Sequence, residues 1–362
     1  MMQQAERRDP FELVGKTLAG KYRVETVAEE TEMSVVYRAS HVIWRRPVAI
    51  KAFKAPLVSE AARSSMLAAF VREGALLSEL SERTSAVCQA RDLSSLVTEQ
   101  GDWVPYMVLE WLDGIPLDVQ LAREHAGRVP ARSLESSLRM LEPVARALAL
   151  AHERGIVHRD VKPGNICVLD DGSGPTKLYD FGIATLFRRL PPSGVVDPVN
   201  WSFTPSYGAP EQFSSEYGEV GPWTDVFALA LVLVELVTGR EALQGQALAE
   251  LAVRACDPHR RPTPRALGVE LGDAVESVLK RALAVRPEAR YESVGQLWTA
   301  ITGASSEPLF DATIAIPLTR RRQPKRHRRL LSLFALGSAG AAAAIVIAHH
   351  WSQLTGALLG LL

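Results

Sequence analysis

The chain has 362 residues, 47% of them apolar and 23% charged, with 41 basic and 41 acidic groups. That length fits one large bilobal domain or two smaller ones, and so apolar a composition excludes a disordered chain. Three scattered cysteines, Cys88, Cys167 and Cys256, with no C-x-x-C pair and no clustered histidines, exclude a disulfide scaffold and argue against structural zinc. Residues 312–362 carry seven Lys/Arg and no Asp/Glu, which leaves the first 311 residues with 34 basic against 41 acidic groups. An acidic globular part argues against nucleic-acid binding.

The opening residues, MMQQAERRDPFELVGK, are polar and lack the apolar core of a secretory signal, so the N-terminal part is expected in the cytoplasm. Runs rich in Val, Ile and aromatics over Tyr22–Val27, Ser34–Ala39 and Pro47–Phe53 predict an antiparallel strand series. A helix is predicted around Ala61–Leu80, where Phe70, Leu76, Leu77 and Leu80 recur at helical spacing. Val104–Trp111 predicts a further strand, ending at Asp113-Gly114. Together these make a small α+β lobe over about residues 18–112. Beyond Ala131 the pattern turns helical, with Ser133–Arg154, Thr224–Val237, Leu271–Ala284 and Ser293–Ile301 as predicted helices of a larger lobe over about 113–301.

The remainder reads differently. Residues 302–329 form a linker that ends in Arg320, Arg321, Arg322, Lys325, Arg326, Arg328 and Arg329. Leu330–Ala348 follows as 19 uncharged residues, a helix just long enough at about 1.5 Å per residue to cross about 30 Å of hydrocarbon. The basic run beside it reads as an orientation signal that meets anionic lipid, not as a nucleic-acid patch. The expectation is a single-pass helix in the inner or plasma membrane, with the large domain cytoplasmic and a short tail, 349–362, outside. Gly337 and Ala341 form a small-xxx-small pair through which two such helices could dimerise.

Four short motifs carry chemistry. Val48-Ala49-Ile50-Lys51 ends the third predicted strand, and His158-Arg159-Asp160-Val161-Lys162-Pro163-Gly164-Asn165 follows an amphipathic helix. Asp180-Phe181-Gly182 follows the predicted strand Thr176–Tyr179, and Ala209-Pro210-Glu211 comes 27 residues after Gly182. Each is common by chance; all four in this order and spacing are not. Over roughly residues 18–301 the constellation resembles the protein kinases, specifically the eukaryotic-like Ser/Thr kinases of bacteria.

The resemblance implies a bilobal kinase-like α+β fold and transfer of the γ-phosphoryl group of ATP, with Mg²⁺, to Ser/Thr hydroxyls of proteins, the chain itself included. By it, Lys51 grips the α- and β-phosphates and is oriented by a helix carboxylate, best matched by Glu73. Asp160 orients the substrate hydroxyl, Lys162 meets the transferring phosphoryl group, and Asn165 and Asp180 hold the metal. Val36 and Ala49 line the nucleotide site, and the backbones of Glu110 and Leu112 meet adenine beside Leu109. His158 and Phe181 pack, Asp225 anchors the catalytic loop, and Glu211 pairs with Arg290. Thr204 is the substrate-facing threonine directly after an activation segment, Ile183–Phe203, whose hydroxyls include Thr185, Ser193 and Ser202 and opposite which Arg159 could pair with a phosphate.

One motif fails. The glycine-rich phosphate loop falls at residues 29–36, where the three glycine positions hold Glu29, Thr31 and Ser34. Glycine there lets backbone N–H groups approach phosphate. Two readings follow: a working membrane-anchored kinase that binds ATP weakly, or a pseudokinase scaffold that keeps the fold and signals by partner binding.

Overall fold

A computed structural model of the protein describes residues 8–55, 60–172, 174–181 and 203–305. Among these residues, nine strands and seven longer helices form two lobes. Strands β1 (Thr17–Leu18), β2 (Tyr22–Glu30), β3 (Ser34–His41), β4 (Pro47–Phe53), β5 (Ala90–Val97) and β6 (Trp103–Glu110) make an antiparallel sheet in the order β1-β2-β3-β4-β6-β5. The period of two along β3, β4 and β6 sorts the side chains. Val36, Ala49, Phe53, Met107 and Leu109 enter the main core, while Val35, Tyr37, Ile50, Ala52, Tyr106 and Val108 enter a second cluster on the opposite face. Chain preceding β1 closes that second cluster: Phe11 and Leu13 are buried in it, and the Tyr37 hydroxyl donates to Asp9 at 2.7 Å.

Helix α1 (Glu60–Arg83) packs on the other face of the sheet through Met66, Phe70, Leu77 and Leu80, most of them three or four residues apart. Gly74 lies where a Cβ would collide with a terminal methyl of Leu93 on β5, so a larger residue there would force that side chain to shift.

The second lobe is built on α4 (Pro222–Thr238), which is buried from Thr224 to Thr238. A helix apolar on every side must be enclosed by protein or lipid; here α3 (Leu134–His152), α6 (Asp273–Ala282) and α7 (Val294–Ser305) enclose it. It ends at Gly239 in the left-handed conformation (φ 67°). Helices α2 (Leu117–Ala126) and α5 (Leu248–Cys256) complete the lobe, with a small sheet, β7 (Gly114–Pro116), β8 (Ile166–Val168) and β9 (Thr176–Leu178), at the cleft between the lobes. The polypeptide runs from one lobe to the other through Trp111–Asp113, between β6 and β7.

No helix among the described residues is long and apolar enough to cross a membrane. The predicted membrane segment 330–348, the basic run, the Gly337/Ala341 pair and the tail lie outside the described residues, as does most of the predicted activation segment, 182–202.

Candidate active site

The loop His158–Asn165 leaves α3 and enters β8, and its shape is imposed from below. Asp225, wholly buried in the first turn of α4, accepts from the backbone N–H of His158 and of Arg159 at 2.8 Å each. It also bonds His152 Nε2 at 2.8 Å. Arg159 is held at φ 70°, a conformation that a non-glycine residue keeps only when its surroundings enforce it. Burial lowers the pKa of His158, whose Nε2 meets the Tyr179 carbonyl at 3.0 Å and whose ring lies 4.7 Å from that of Phe181. A neutral, enclosed imidazole of this kind packs and positions.

Asp160 sits at the mouth of the loop among donors. Its Oδ2 is 2.8 Å from Lys162 Nζ and 3.2 Å from Asn165 Nδ2, and its Oδ1 accepts from Thr204 N–H at 2.8 Å. Burial pushes its carboxyl up, but the Lys162 ammonium and the other donors outweigh burial and the net shift is downward. The group therefore stays ionised, an acceptor ready for a hydroxyl proton. Lys162 also donates to Thr204 Oγ1 at 2.5 Å, tying the loop to the segment that carries Thr204.

Across the cleft, the register of β2, β3 and β4 puts Glu29, Val36 and Lys51 in one cross-strand row. Lys51 is 4% exposed and pairs with Asp180. Burial pushes its ammonium down to about 8 against the attraction of Glu29 and Asp160, so it remains a cation at neutral pH. Asp180 itself takes φ 66°. Val36 and Ala49 are buried on the same face of the sheet.

The structure departs from expectation at Glu73. The residue shares a stripe of α1 with Phe70 and Leu77, yet its side chain is exposed and forms no ion pair with Lys51. The ammonium is engaged by Asp180 instead.

At the connection between lobes, Glu110 turns its carboxylate away to Lys177 (2.5 Å) and to Gln89 N–H (2.9 Å), and its own N–H donates to the Gln89 carbonyl. Leu112 is buried and its backbone makes no hydrogen bond to the described residues, which leaves one donor and one acceptor open. The residues fit a bound divalent cation on one independent ground. Asn165 Oδ1 is buried and without a partner among the described residues, an orphaned oxygen at the end of the loop that carries Asp160. A hard cation held by one or two protein oxygens and by phosphate would satisfy it.

Several supporting residues escaped the sequence reading. Gln212 Nε2 donates to the Arg159 carbonyl at 2.8 Å, bracing the catalytic loop from the Ala209-Pro210-Glu211 turn. Tyr207 donates to Glu235 of α4 at 2.6 Å, and burial pushes that carboxyl up to about 7. The available signal was a lone carboxylate in an otherwise apolar stretch of helix. Asp118 packs where Gly164 leaves room: a Cβ on that glycine would come within 3.3 Å of its Oδ2. Glu211 and Arg290 form a bidentate pair, 2.8 Å on each arm, with both side chains wholly buried.

Comparison with known proteins agrees with this geometry. The family described as protein kinase domain matches residues 30–298. The serine/threonine-protein kinase PknA of Mycobacterium tuberculosis is 31% identical over 308 residues, 85% of this chain and 64% of that protein. PrkC of Bacillus subtilis is 29% identical over 300 residues, 83% of this chain and 42% of the relative. The chain thus spans between two fifths and two thirds of the length of these relatives. The crystal structure of the Mycobacterium tuberculosis PknI kinase domain superposes with a TM-score of 0.54 at 25% identity, covering 80% of this chain and 98% of that one.

Proposed function

The chain belongs to the protein kinase domain family, and on that premise we propose that it is a Ser/Thr protein kinase anchored to the cytoplasmic face of a membrane through residues 330–348. It moves the γ-phosphoryl group of ATP to Ser/Thr hydroxyls of proteins, its own included. The supporting observation is the pairing of an ionised Asp160, hydrogen-bonded to Lys162 and Thr204, with a buried Lys51–Asp180 ion pair across one cleft.

In this reading each side chain has a separate task. Asp160 accepts a hydrogen bond from the substrate hydroxyl, aims it in line and takes its proton. Lys162 carries positive charge to the oxygens of the group in transfer, and Lys51 does so for the α- and β-phosphates. Asn165 and Asp180 would hold Mg²⁺, which would neutralise triphosphate charge. Leu112 and Glu110 supply backbone groups for the adenine edge, over a floor that includes Val36 and Ala49. Lys51 must exchange Asp180 for Glu73 on the way to that arrangement, so the described conformation is the resting one. Two copies would associate through Gly337 and Ala341.

The test is phosphotransfer by the full chain in detergent or vesicles, from labelled ATP to itself and to a generic protein. Activity that requires Mg²⁺ and is lost in Asp180→Asn is expected; equal activity in the variant removes the mechanism.

The pseudokinase reading draws on one observation, the carboxylate of Glu29 in register with Val36 and Lys51 where the family carries glycine. Negative charge there repels a triphosphate. Glu29→Gln is therefore expected to lower the KM for ATP about fivefold, equivalent to roughly 1 kcal/mol of relieved repulsion. Steady-state kinetics at varied ATP measure it. A pseudokinase instead gives no turnover in either form and no Mg²⁺-dependent rise in Tm with ATP.

A further inference from the structure

The loop joining β3 to β4 carries an apolar surface that the cleft does not use. Val42, Ile43 and Trp44 are consecutive and 41%, 78% and 69% exposed. Elsewhere among the described residues the large exposed apolar side chains are separated along the chain, the ordinary condition of a protein surface. Three adjacent ones at a hairpin tip are not ordinary.

The tip is also built to leave water. The backbone N–H groups from Val42 to Arg45 are all satisfied from within the lobe. Val42 donates to the Lys21 carbonyl at 2.8 Å and Arg45 to the His41 carbonyl at 2.7 Å. Ile43 and Trp44 both donate to His41 Nδ1, at 3.3 Å each. The Trp44 ring stacks on His41 at 4.4 Å, and His41 stands edge-on to the buried ring of Tyr22 at 5.4 Å. Arg45 takes φ 51° to complete the turn. With its N–H groups satisfied, the loop is spared that part of the desolvation cost which keeps most loops out of a medium of low polarity.

Charge indicates which medium. Residues 33–59 contain no Asp or Glu, and Arg45 and Arg46 immediately follow Trp44. The nearby Lys21 is paired with Asp92, and Arg38 on β3 with Glu25, so the tip itself is cationic. An indole beside an aliphatic residue, with arginines at its base, is the composition of a segment that seats at a lipid–water interface bearing anionic headgroups. We infer that the β3–β4 loop is a membrane-interface contact: Ile43 and Trp44 enter the headgroup region of an anionic bilayer while Arg45 and Arg46 meet lipid phosphates.

The placement of that bilayer within reach rests on the reading of residues 330–348 as a membrane segment. The 24 residues between Ser305 and Leu330 extend to about 80 Å at most, enough for a lobe at either end of the molecule to touch the surface. A second contact on the strand-rich lobe would lay the cleft along the membrane and favour substrates held there.

The test uses the full chain with Cys256→Ala, since Cys88 and Cys167 are buried, and with Ile43→Cys carrying an environment-sensitive fluorophore. The chain is reconstituted into vesicles of phosphatidylcholine alone or with phosphatidylglycerol, and flotation is measured beside emission. A blue shift, with quenching by shallow spin-labelled lipid, is expected with phosphatidylglycerol and is lost in Arg45→Glu/Arg46→Glu. Flotation with both vesicles but a probe that stays water-like overturns the contact and leaves the anchor intact. Flotation with phosphatidylglycerol only, together with the blue shift, supports the contact and removes the anchor. Failure to float with either removes both. A shift that needs no vesicles and grows with protein concentration overturns the lipid assignment in favour of a second copy of the chain.

Discussion

Asp160→Asn is expected to lower kcat for phosphotransfer by about 10²–10⁴-fold and to leave Mg²⁺-dependent nucleotide binding essentially unchanged. The substitution is nearly isosteric. The amide oxygen of an asparagine can still accept from Thr204 N–H and so keep the loop bonded to the substrate-facing segment. What goes is the charge that draws Lys162 to 2.8 Å and, with it, the capacity to take a proton. Asn165 gives up its 3.2 Å bond to Asp160 Oδ2 but keeps the 2.7 Å bond to the Asp160 carbonyl, and Lys51 and Asp180 do not bond the Asp160 side chain, so the proposed nucleotide contacts are retained. Turnover and nucleotide binding should therefore separate. Measuring kcat beside the ATP-induced shift in Tm checks this, and a parallel loss of both would assign Asp160 a structural role.

Arg290→Met is expected to destabilise the helical lobe by roughly 3–5 kcal/mol, a fall in Tm on the order of 10 °C for a domain of this size. Every donor nitrogen of the guanidinium is used: Nε to the Ala284 carbonyl at 2.7 Å, Nη1 and Nη2 to Glu211, and further bonds to the Trp223 and Val285 carbonyls. Removing it strands a wholly buried Glu211 carboxylate with the Thr224 hydroxyl, at 2.7 Å, as its remaining side-chain partner among the described residues. The stranded charge dominates the cost, more than the lost attraction. The double variant Glu211→Leu/Arg290→Met should consequently recover a substantial part of the loss. Thermal denaturation of the three proteins checks both statements, and a double variant no better than the single one would place the cost in the backbone bonds instead.

What could be read from the amino-acid order, and what could not, divides by range. Strands β3 and β4 were legible because their alternation is local: Val36, Ala49 and Lys51 fall on one face and Val35, Ile50 and Ala52 on the other. The catalytic loop was legible as eight contiguous residues, and its anchor, Asp225, followed from the family resemblance those residues carry. Strand β5 was not. Its sequence, ARDLSSLV, has no clean period and is only half-buried along most of its length. Helices α2 and α5 each bury only two residues, too few to mark a stripe.

The partner of Lys51 was the instructive miss. Helical periodicity puts Glu73 on the stripe of Phe70 and Leu77, but says nothing of how far α1 stands from the sheet. Where α1 docks is set by long-range packing, its contacts with β5 among it. The same limit hid Gln212, Asp118 and the Tyr207–Glu235 bond, each of which joins segments distant in the chain.

The seal that Phe11, Leu13 and Asp9 place over the outer flank of the strand-rich lobe bears on how the protein can be cut. The stretch that matches the protein kinase domain family begins only at residue 30, yet the greasy side of that sheet is covered by chain lying well ahead of that point. A fragment trimmed to the aligned boundary would bare Tyr37, Ile50 and Val108 and invite clumping. The smallest soluble piece therefore starts ahead of Asp9, and an inactive shorter one says nothing against the chemistry.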